Sequence, residues 1–198
     1  MASDQLRLFV AIELPGEVRD TLGRLQHELQ LRGLEQLRWV RPEGIHLTLK
    51  FLGDTRAERV PEISAVLARV ASGMASHELT LGALGTFGGA RRPRVLWVDL
   101  GSDVKAATDL QQLIDDGLSA IGIECETRGF SPHLTLARVR PETARDVAAP
   151  LAEAVSTVST PKAAITVREV SLVRSILGPG GAVYERVAAF PLGGHRRG

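Results

Sequence analysis

The 198-residue sequence lacks the features that would assign it to several large functional classes. It has a single cysteine, Cys125, which excludes an internal disulfide framework and a multi-thiolate metal cage. Glu124 and Glu126 flank that thiol and would raise its pKa, so it is a poor candidate nucleophile. Charge of one sign is also missing: 24 basic residues stand against 23 acidic ones, a formal excess of +1. A histone-like protein or a long-tract nucleic-acid coater would carry far more, although a local basic cleft is still allowed. Lysine is scarce, limited to Lys50, Lys105 and Lys162, with arginine supplying the remaining positive charge. No apolar run approaches the roughly 18 residues of a membrane helix. Met1-Ala2-Ser3-Asp4-Gln5 has no basic region leading into an apolar one, so neither a signal peptide nor a membrane partner is expected. The default location is therefore cytoplasmic. Nucleotide-binding loops are missing as well. No GxxxxGK[ST] or post-strand GxGxxG occurs, and Gly178-Pro179-Gly180-Gly181 reads as a hairpin turn, so no cofactor is indicated.

What is present begins with a repeat. Two of the five histidines open the same tetrapeptide, His46-Leu47-Thr48-Leu49 and His133-Leu134-Thr135-Leu136, 87 residues apart. Chance agreement of this kind has odds on the order of a few per thousand, so the repeat organises the reading. At the same offset Arg7–Ala11 lands on Arg94–Val98, both short apolar runs of buried-strand type. Leu79–Leu81 likewise lands on Thr166–Arg168. Helical spacing links Val18, Leu22, Leu25 and Leu29, and its counterpart is Ala107, Leu110, Leu113/Ile114 and Leu118 behind an N-cap at Asp103. Val60, Ile63, Leu67 and Val70 follow the first tetrapeptide. A weaker stretch, 142–155, follows the second and is expected to break or kink at Pro150.

Each half thus reads strand, helix, strand, helix, strand, over roughly 6–88 and 93–175. A closing hairpin, 165–177 with 183–190, carries the chain to 192. The fold expected is α+β: two pseudo-symmetric lobes, each an antiparallel-rich sheet with two helices, forming one domain around a V-shaped cleft. The segment Gly85–Pro93 is expected to be the connecting loop.

Side chains alternate along a strand, so His46 and Thr48 share one face while Leu47 and Leu49 share the other. The same holds for His133 and Thr135. A pseudo-twofold would bring two imidazoles and two hydroxyls to one volume. Opening a phosphodiester needs a base for the attacking oxygen and an acid for the leaving one. Imidazole, with an ordinary pKa of about 6.5, serves as either at neutral pH, and Thr hydroxyls can donate to phosphoryl oxygens. Two histidines also suggest a metal site, but no third ligand stands within reach, and Glu43 and Asp54 are read in turns. His27 and His195 are read as solvated and His77 as a surface residue. Arg138, Lys50 and the pair Arg91-Arg92 are candidate local cations. Phe51, Trp39 and Phe87 are candidates to stack a base, with core packing as the competing role.

The doubled motif resembles the 2H phosphoesterase superfamily. The wider pattern resembles its bacterial and archaeal RNA 2′,3′-cyclic phosphodiesterase branch, also called 2′-5′ RNA ligase. The matching words are Leu8–Pro15, Arg38–Glu43 leading into HLTLKFLG, Pro93–Trp97, Phe130-Ser131-Pro132-HLTLAR, and the closing Leu172–Ser175, Gly181–Tyr184 and Phe190–Leu192. The resemblance implies a metal-free, ATP-independent RNA-processing hydrolase that opens a terminal 2′,3′-cyclic phosphate to a 2′-phosphomonoester. Its partner would be RNA with such an end, tRNA fragments included, with no obligate protein partner. It also implies a reverse ligation in which a 5′-hydroxyl attacks in place of water. It makes His46 the proton donor and His133 the proton acceptor, with Thr48, Thr135 and Arg138 on the phosphate. The residues alone leave acid and base interchangeable. They also pose a difficulty at Arg138: five positions after His133, strand parity points it away from the cleft unless a bulge intervenes. Rival readings are a phosphodiesterase for small cyclic nucleotides or ADP-ribose cyclic phosphate, and a non-catalytic RNA-end binder.

Overall fold

The computed structural model describes residues 5–178 and 181–193. The elements, in chain order, are β1 (Gln5–Glu13), α1 (Gly16–Leu29), β2 (Arg38–Trp39), β3 (His46–Arg56), α2 (Val60–Ser72), β4 (His77–Gly89), β5 (Arg92–Ser102), α3 (Val104–Ser119), β6 (His133–Arg138), α4 (Ala148–Thr157), β7 (Ala164–Val167), β8 (Glu169–Gly178) and β9 (Gly181–Pro191). The protein is α+β, and its strands form one curled antiparallel sheet in the order β7-β4-β5-β6-β3-β1-β8-β9, with β2 beside β6.

The sheet reads as two four-stranded arms meeting at β3 and β6. Their junction is the single pair Leu47–Leu134, the second residues of the two tetrapeptides. Both leucines are fully buried, so truncating either to Ala would cost about 2–5 kcal/mol at the joint between the arms. Strand alternation explains why the arms have two kinds of face. Leu8, Val10 and Ile12 of β1 enter the continuous helix-covered core, whereas Phe9 and Ala11 pack with Val173 in a separate small cluster on the opposite face. That second face lines the cleft.

The helical stripes pack as their spacing requires. Val18, Leu22, Leu25 and Leu29 of α1, and Ala107, Leu110, Ile114 and Leu118 of α3, are buried, whereas Leu113 is exposed. Asp103 precedes α3, but its carboxylate makes no cap bond to the helix; it faces the Glu78 amide at 3.5 Å. Pro150 does not break the fourth helix. It sits in the first turn of α4, where its missing N–H costs nothing, and the residues before Ala148 form turns instead.

Three local expectations change. Gly85–Gly89 is strand rather than loop, because it pairs with β5 through Gly85–Trp97 and Gly89–Arg92, leaving only Ala90-Arg91 as the turn. His77 is buried at 4% exposure rather than superficial, since it begins β4 and pairs with Val167. Asp54 lies within β3, opposite Arg7, and not in a turn. Gly178 pairs with Gly181; Pro179 and Gly180 of the expected turn lie outside the described residues, as does His195.

Candidate active site

His46 and His133 are the first residues of β3 and β6, one on either side of the Leu47–Leu134 pair at the junction of the arms. One cavity of about 600 Å³ is lined by His46, Thr48, His133, Thr135 and Arg138, with Phe9, Phe51, Phe87 and Tyr184 among its walls. The two imidazoles are tethered alike. His46 Nδ1 lies 2.8 Å from the Gly44 carbonyl and His133 Nδ1 2.6 Å from the Ser131 carbonyl, each two residues upstream. A carbonyl can only accept, so Nδ1 carries a proton in both rings. Nε2 is left as the nitrogen that takes or gives a proton.

The surroundings of the two rings differ. His46 stacks on Phe9 at a centroid distance of 4.7 Å and meets the edge of Tyr184 at 5.1 Å. Burial pushes its pKa below the ordinary 6.5, opposed by the Gly44 hydrogen bond and the negative charge of Glu13. Glu13, paired with His46 across β1 and β3, accepts Ser171 Oγ at 2.6 Å and the Arg186 guanidinium at 2.5 Å. His133 instead meets the edge of Phe87 at 4.8 Å, with Trp97 at 6.2 Å.

The difficulty at Arg138 is resolved by a bulge. On β5, Asp99, Trp97 and Val95 lie two apart on one face, and their partners are His133, Thr135 and Arg138. Leu136 is the extra residue on β6, so parity flips and Arg138 joins the histidine face. The Leu136 carbonyl is held there by the Val40 amide at 2.9 Å and by Gln26 Nε2 at 3.0 Å. The same device occurs at the equivalent position of β3. Ala11 pairs with Thr48, Val10 with Lys50 and Phe9 with Phe51, so Leu49 is the extra residue and Phe51 shares the face of His46. Bulged equivalently, the two strands thus present an aromatic ring at one site and a guanidinium at the other. Phe51 is 66% exposed.

Other candidates fall elsewhere. Trp39 lines neither this cavity nor its larger neighbour. It packs against the core, and its indole N–H donates to the Leu34 carbonyl at 3.0 Å. Arg91 faces a shallow depression shared with Arg145 and α4, and Arg92 lies exposed at the start of β5. Lys50 is no free cation: bulged away from the histidine face, its ammonium is buried against Asp115 of α3 and donates to the Glu124 carbonyl at 2.7 Å. Phe87 lines the cleft but is engaged by His133. Tyr184, Arg7 and Gln26 were not singled out from the sequence. Tyr184 falls in a word matched by resemblance, but only the β8–β9 register (Ser175–Tyr184) brings it over His46. Among the described residues, no three His, Cys, Asp or Glu side chains converge as a metal site would require, and no helix is long and apolar enough to cross a membrane.

A curled antiparallel sheet with an H-x-T-x strand from each arm at its junction defines the class as 2H phosphoesterase. Within that class, the chain belongs to the LigT-like phosphoesterases. The model of that family matches twice in succession, at residues 12–97 and 98–184. An RNA 2′,3′-cyclic phosphodiesterase of Methanothermobacter thermautotrophicus is 32% identical over 95% of this chain and all of its own length. One from Archaeoglobus fulgidus is 28% identical, covering 93% of this chain and 99% of itself. Among solved structures, a Thermus thermophilus protein superposes with a TM-score of 0.76 at 29% identity, covering 96% of this chain and all of its own. Escherichia coli LigT complexed with 3′-AMP gives 0.74 at 26% identity, covering 95% and 98%.

Proposed function

We propose that this phosphoesterase hydrolyses RNA 2′,3′-cyclic phosphate ends to 2′-phosphomonoesters, in the cytoplasm, by a two-histidine mechanism that uses no metal or cofactor. One observation carries the reading: two imidazoles line a single cavity of about 600 Å³, each with Nδ1 pinned to a carbonyl and Nε2 left for chemistry. The relatives named RNA 2′,3′-cyclic phosphodiesterase support the same substrate class.

In this mechanism, His133 Nε2 takes a proton from water as its oxygen attacks phosphorus. The bond from phosphorus to the 3′ oxygen breaks, and His46 Nε2 protonates that oxygen, leaving the phosphate on the 2′ oxygen. Thr48 and Thr135 donate hydroxyl hydrogen bonds to the non-bridging oxygens, and the Arg138 guanidinium balances the charge that grows there. Burial of His46 works against its role as acid in the empty protein, whereas the negative charge of an entering phosphate and of Glu13 works for it. Ligation is the same displacement with a 5′-hydroxyl attacking in place of water, so that the phosphate left on the 2′ oxygen becomes a 2′-5′ linkage. The whole chain is the working unit, repeats 6–88 and 93–175 plus the closing hairpin to 192, since each repeat carries only one of the histidines.

The test is product analysis on an oligonucleotide ending in a 2′,3′-cyclic phosphate, incubated with a metal chelator. A 2′-phosphate product is expected. A 3′-phosphate, or hydrolysis abolished by the chelator, would overturn the reading, and tight binding without turnover would mark an end-binding protein instead.

A further inference from the structure

Each of the two histidines has a carboxylate directly opposite it on the neighbouring strand. Glu13 of β1 pairs with His46, and Asp99 of β5 pairs with His133. Residues opposite one another across antiparallel strands share a face, with Cβ atoms about 4.5–5.5 Å apart, so both carboxylates belong to the histidine face. Their partners differ. Asp99 accepts the adjacent Leu100 amide at 2.9 Å and, among the described residues, has no ion pair. Glu13 is clasped. Buried Ser171 donates to its Oε2 at 2.6 Å, and the Arg186 guanidinium reaches the same oxygen at 2.5 Å while also meeting Glu169 at 2.9 Å.

A bulge builds this clasp. Ser171 pairs with Ala189, Leu172 with Ala188 and Val173 with Arg186, so Val187 is the extra residue on β9. Without it, alternation would put Val187 on the face of Val173 and turn Arg186 away from Glu13. Val173 packs with Phe9 and Ala11 on the face that lines the cleft, so the bulge brings a cation to the His46 side. The charged and titratable groups on this side are Glu13 from β1, Glu43 in the turn before β3, Glu169 from β8, and Tyr184 and Arg186 from β9. Arg7, His133 and Arg138 line the shared cavity. Of these groups it is Glu13 that pushes the His46 pKa upward, against burial.

An acid that works at neutral pH must hold its proton and yet give it up, so its pKa should lie near the working pH. An imidazole buried between Phe9 and Tyr184 loses its proton too easily, whereas a bare carboxylate beside it would hold that proton too firmly. Resting on the reading of His46 as proton donor, we infer that Glu13 is a positioning residue for the reaction, supplying the negative charge that lets buried His46 carry its proton, and that Arg186, shared with Glu169, limits that charge. The two arms are thereby made unequal by charge as well as by burial.

Carbon-13 NMR of the His46 ring in the free protein reads the clasp directly, and opposite signs separate it from a structural role. His46 is expected to titrate about 0.5 pH unit lower than wild type in Glu13→Gln, and about 0.5 pH unit higher in Arg186→Gln, where Glu13 keeps its charge without its counter-ion. Arg186→Lys should keep the wild-type titration, and so should Asp99→Asn, the equivalent change in the other arm. In the pH dependence of kcat/KM for a 2′,3′-cyclic-phosphate oligonucleotide, one limb should follow these shifts while the other stays. Shifts of the same sign in Glu13→Gln and Arg186→Gln, or no shift in either, would overturn the clasp. A His46 titration that moves while both limbs stay would overturn its part in the reaction. If the wild-type protein turns over no cyclic phosphate, it is the phosphodiesterase reading that fails, and the NMR titrations still decide whether Glu13 and Arg186 set the charge on His46.

Discussion

Lys50 and Asp115 tie β3 of one arm to α3 of the other, and cutting that tie has a calculable cost. Lys50 follows Thr48 by two residues on β3, while Asp115 lies on α3, whose N-terminus follows β5 of the other arm. Their side chains are 2% and 7% exposed. The Asp115 carboxylate also accepts the Glu126 amide, at 3.2 Å from either oxygen, and Lys50 donates to the Glu124 carbonyl. The pair therefore anchors the segment that runs to Ser131, whose carbonyl orients His133. Lys50→Met leaves a buried carboxylate without its cation, and Asp115→Leu leaves a buried ammonium, so each single change is expected to cost about 3–5 kcal/mol. The double variant removes both charges and loses only the two backbone partners, at about 1–3 kcal/mol each. At mid-range values it should be more stable than the sum of the singles by about 4 kcal/mol. Urea unfolding of the four proteins measures that coupling. Single variants within about 1 kcal/mol of wild type, or strictly additive losses, would refute the reasoning. The folded double variant should also turn over more slowly, because the 124–131 segment is released.

Three further outcomes follow from the same geometry. Gln26→Met removes a buried donor from the Leu136 bulge and should cost about 1–3 kcal/mol in unfolding experiments, with a raised KM as Arg138 loses its setting. A Cβ on Gly85 would overlap the Trp97 indole, which packs toward His133, so Gly85→Ala should lower kcat at nearly unchanged helix content by circular dichroism. Carbon-13 NMR should find His46 titrating below 6.5 in the free protein and moving upward when inorganic phosphate is added. Because its folded pKa lies below the unfolded value, the stability it confers is complete above about pH 6.5 and is lost as pH falls toward the folded pKa. A His46→Gln protein should lack that acid-side decline, and a His46 pKa above 6.5 without ligand would contradict the burial argument.

The sequence made legible whatever is local and periodic. The doubled HLTL, the leucine stripes of α1 and α3, and the sharing of one face by His46 and Thr48 all follow from side-chain alternation and helical spacing. What it hid depends on partners distant in the chain. Parity alone turns Arg138 away, and the Leu136 bulge that turns it back exists only in register with Leu96 and Trp97 of β5. Lys50 reads as a free cation until Asp115, 65 residues later, is brought against it. Gly85–Gly89 reads as loop by composition, yet glycine is what allows Trp97 to lie across β4. His77 is buried because β7, far along the chain, closes over the start of β4. Asymmetry within a pseudo-symmetric site was likewise only half visible: Phe51 and Arg138 can be aligned by offset, but not the burial of His46 between Phe9 and Tyr184.

The central claim is that both histidines act on one phosphate, and single substitution tests it most directly. His46→Ala and His133→Ala, each shown to be folded, should lose hydrolysis of a 2′,3′-cyclic-phosphate oligonucleotide in the presence of chelator by at least about 100-fold. The bell-shaped pH dependence of kcat/KM should lose one limb in each variant. Wild-type rates in either variant, or a bell that survives both changes, would contradict the two-histidine account.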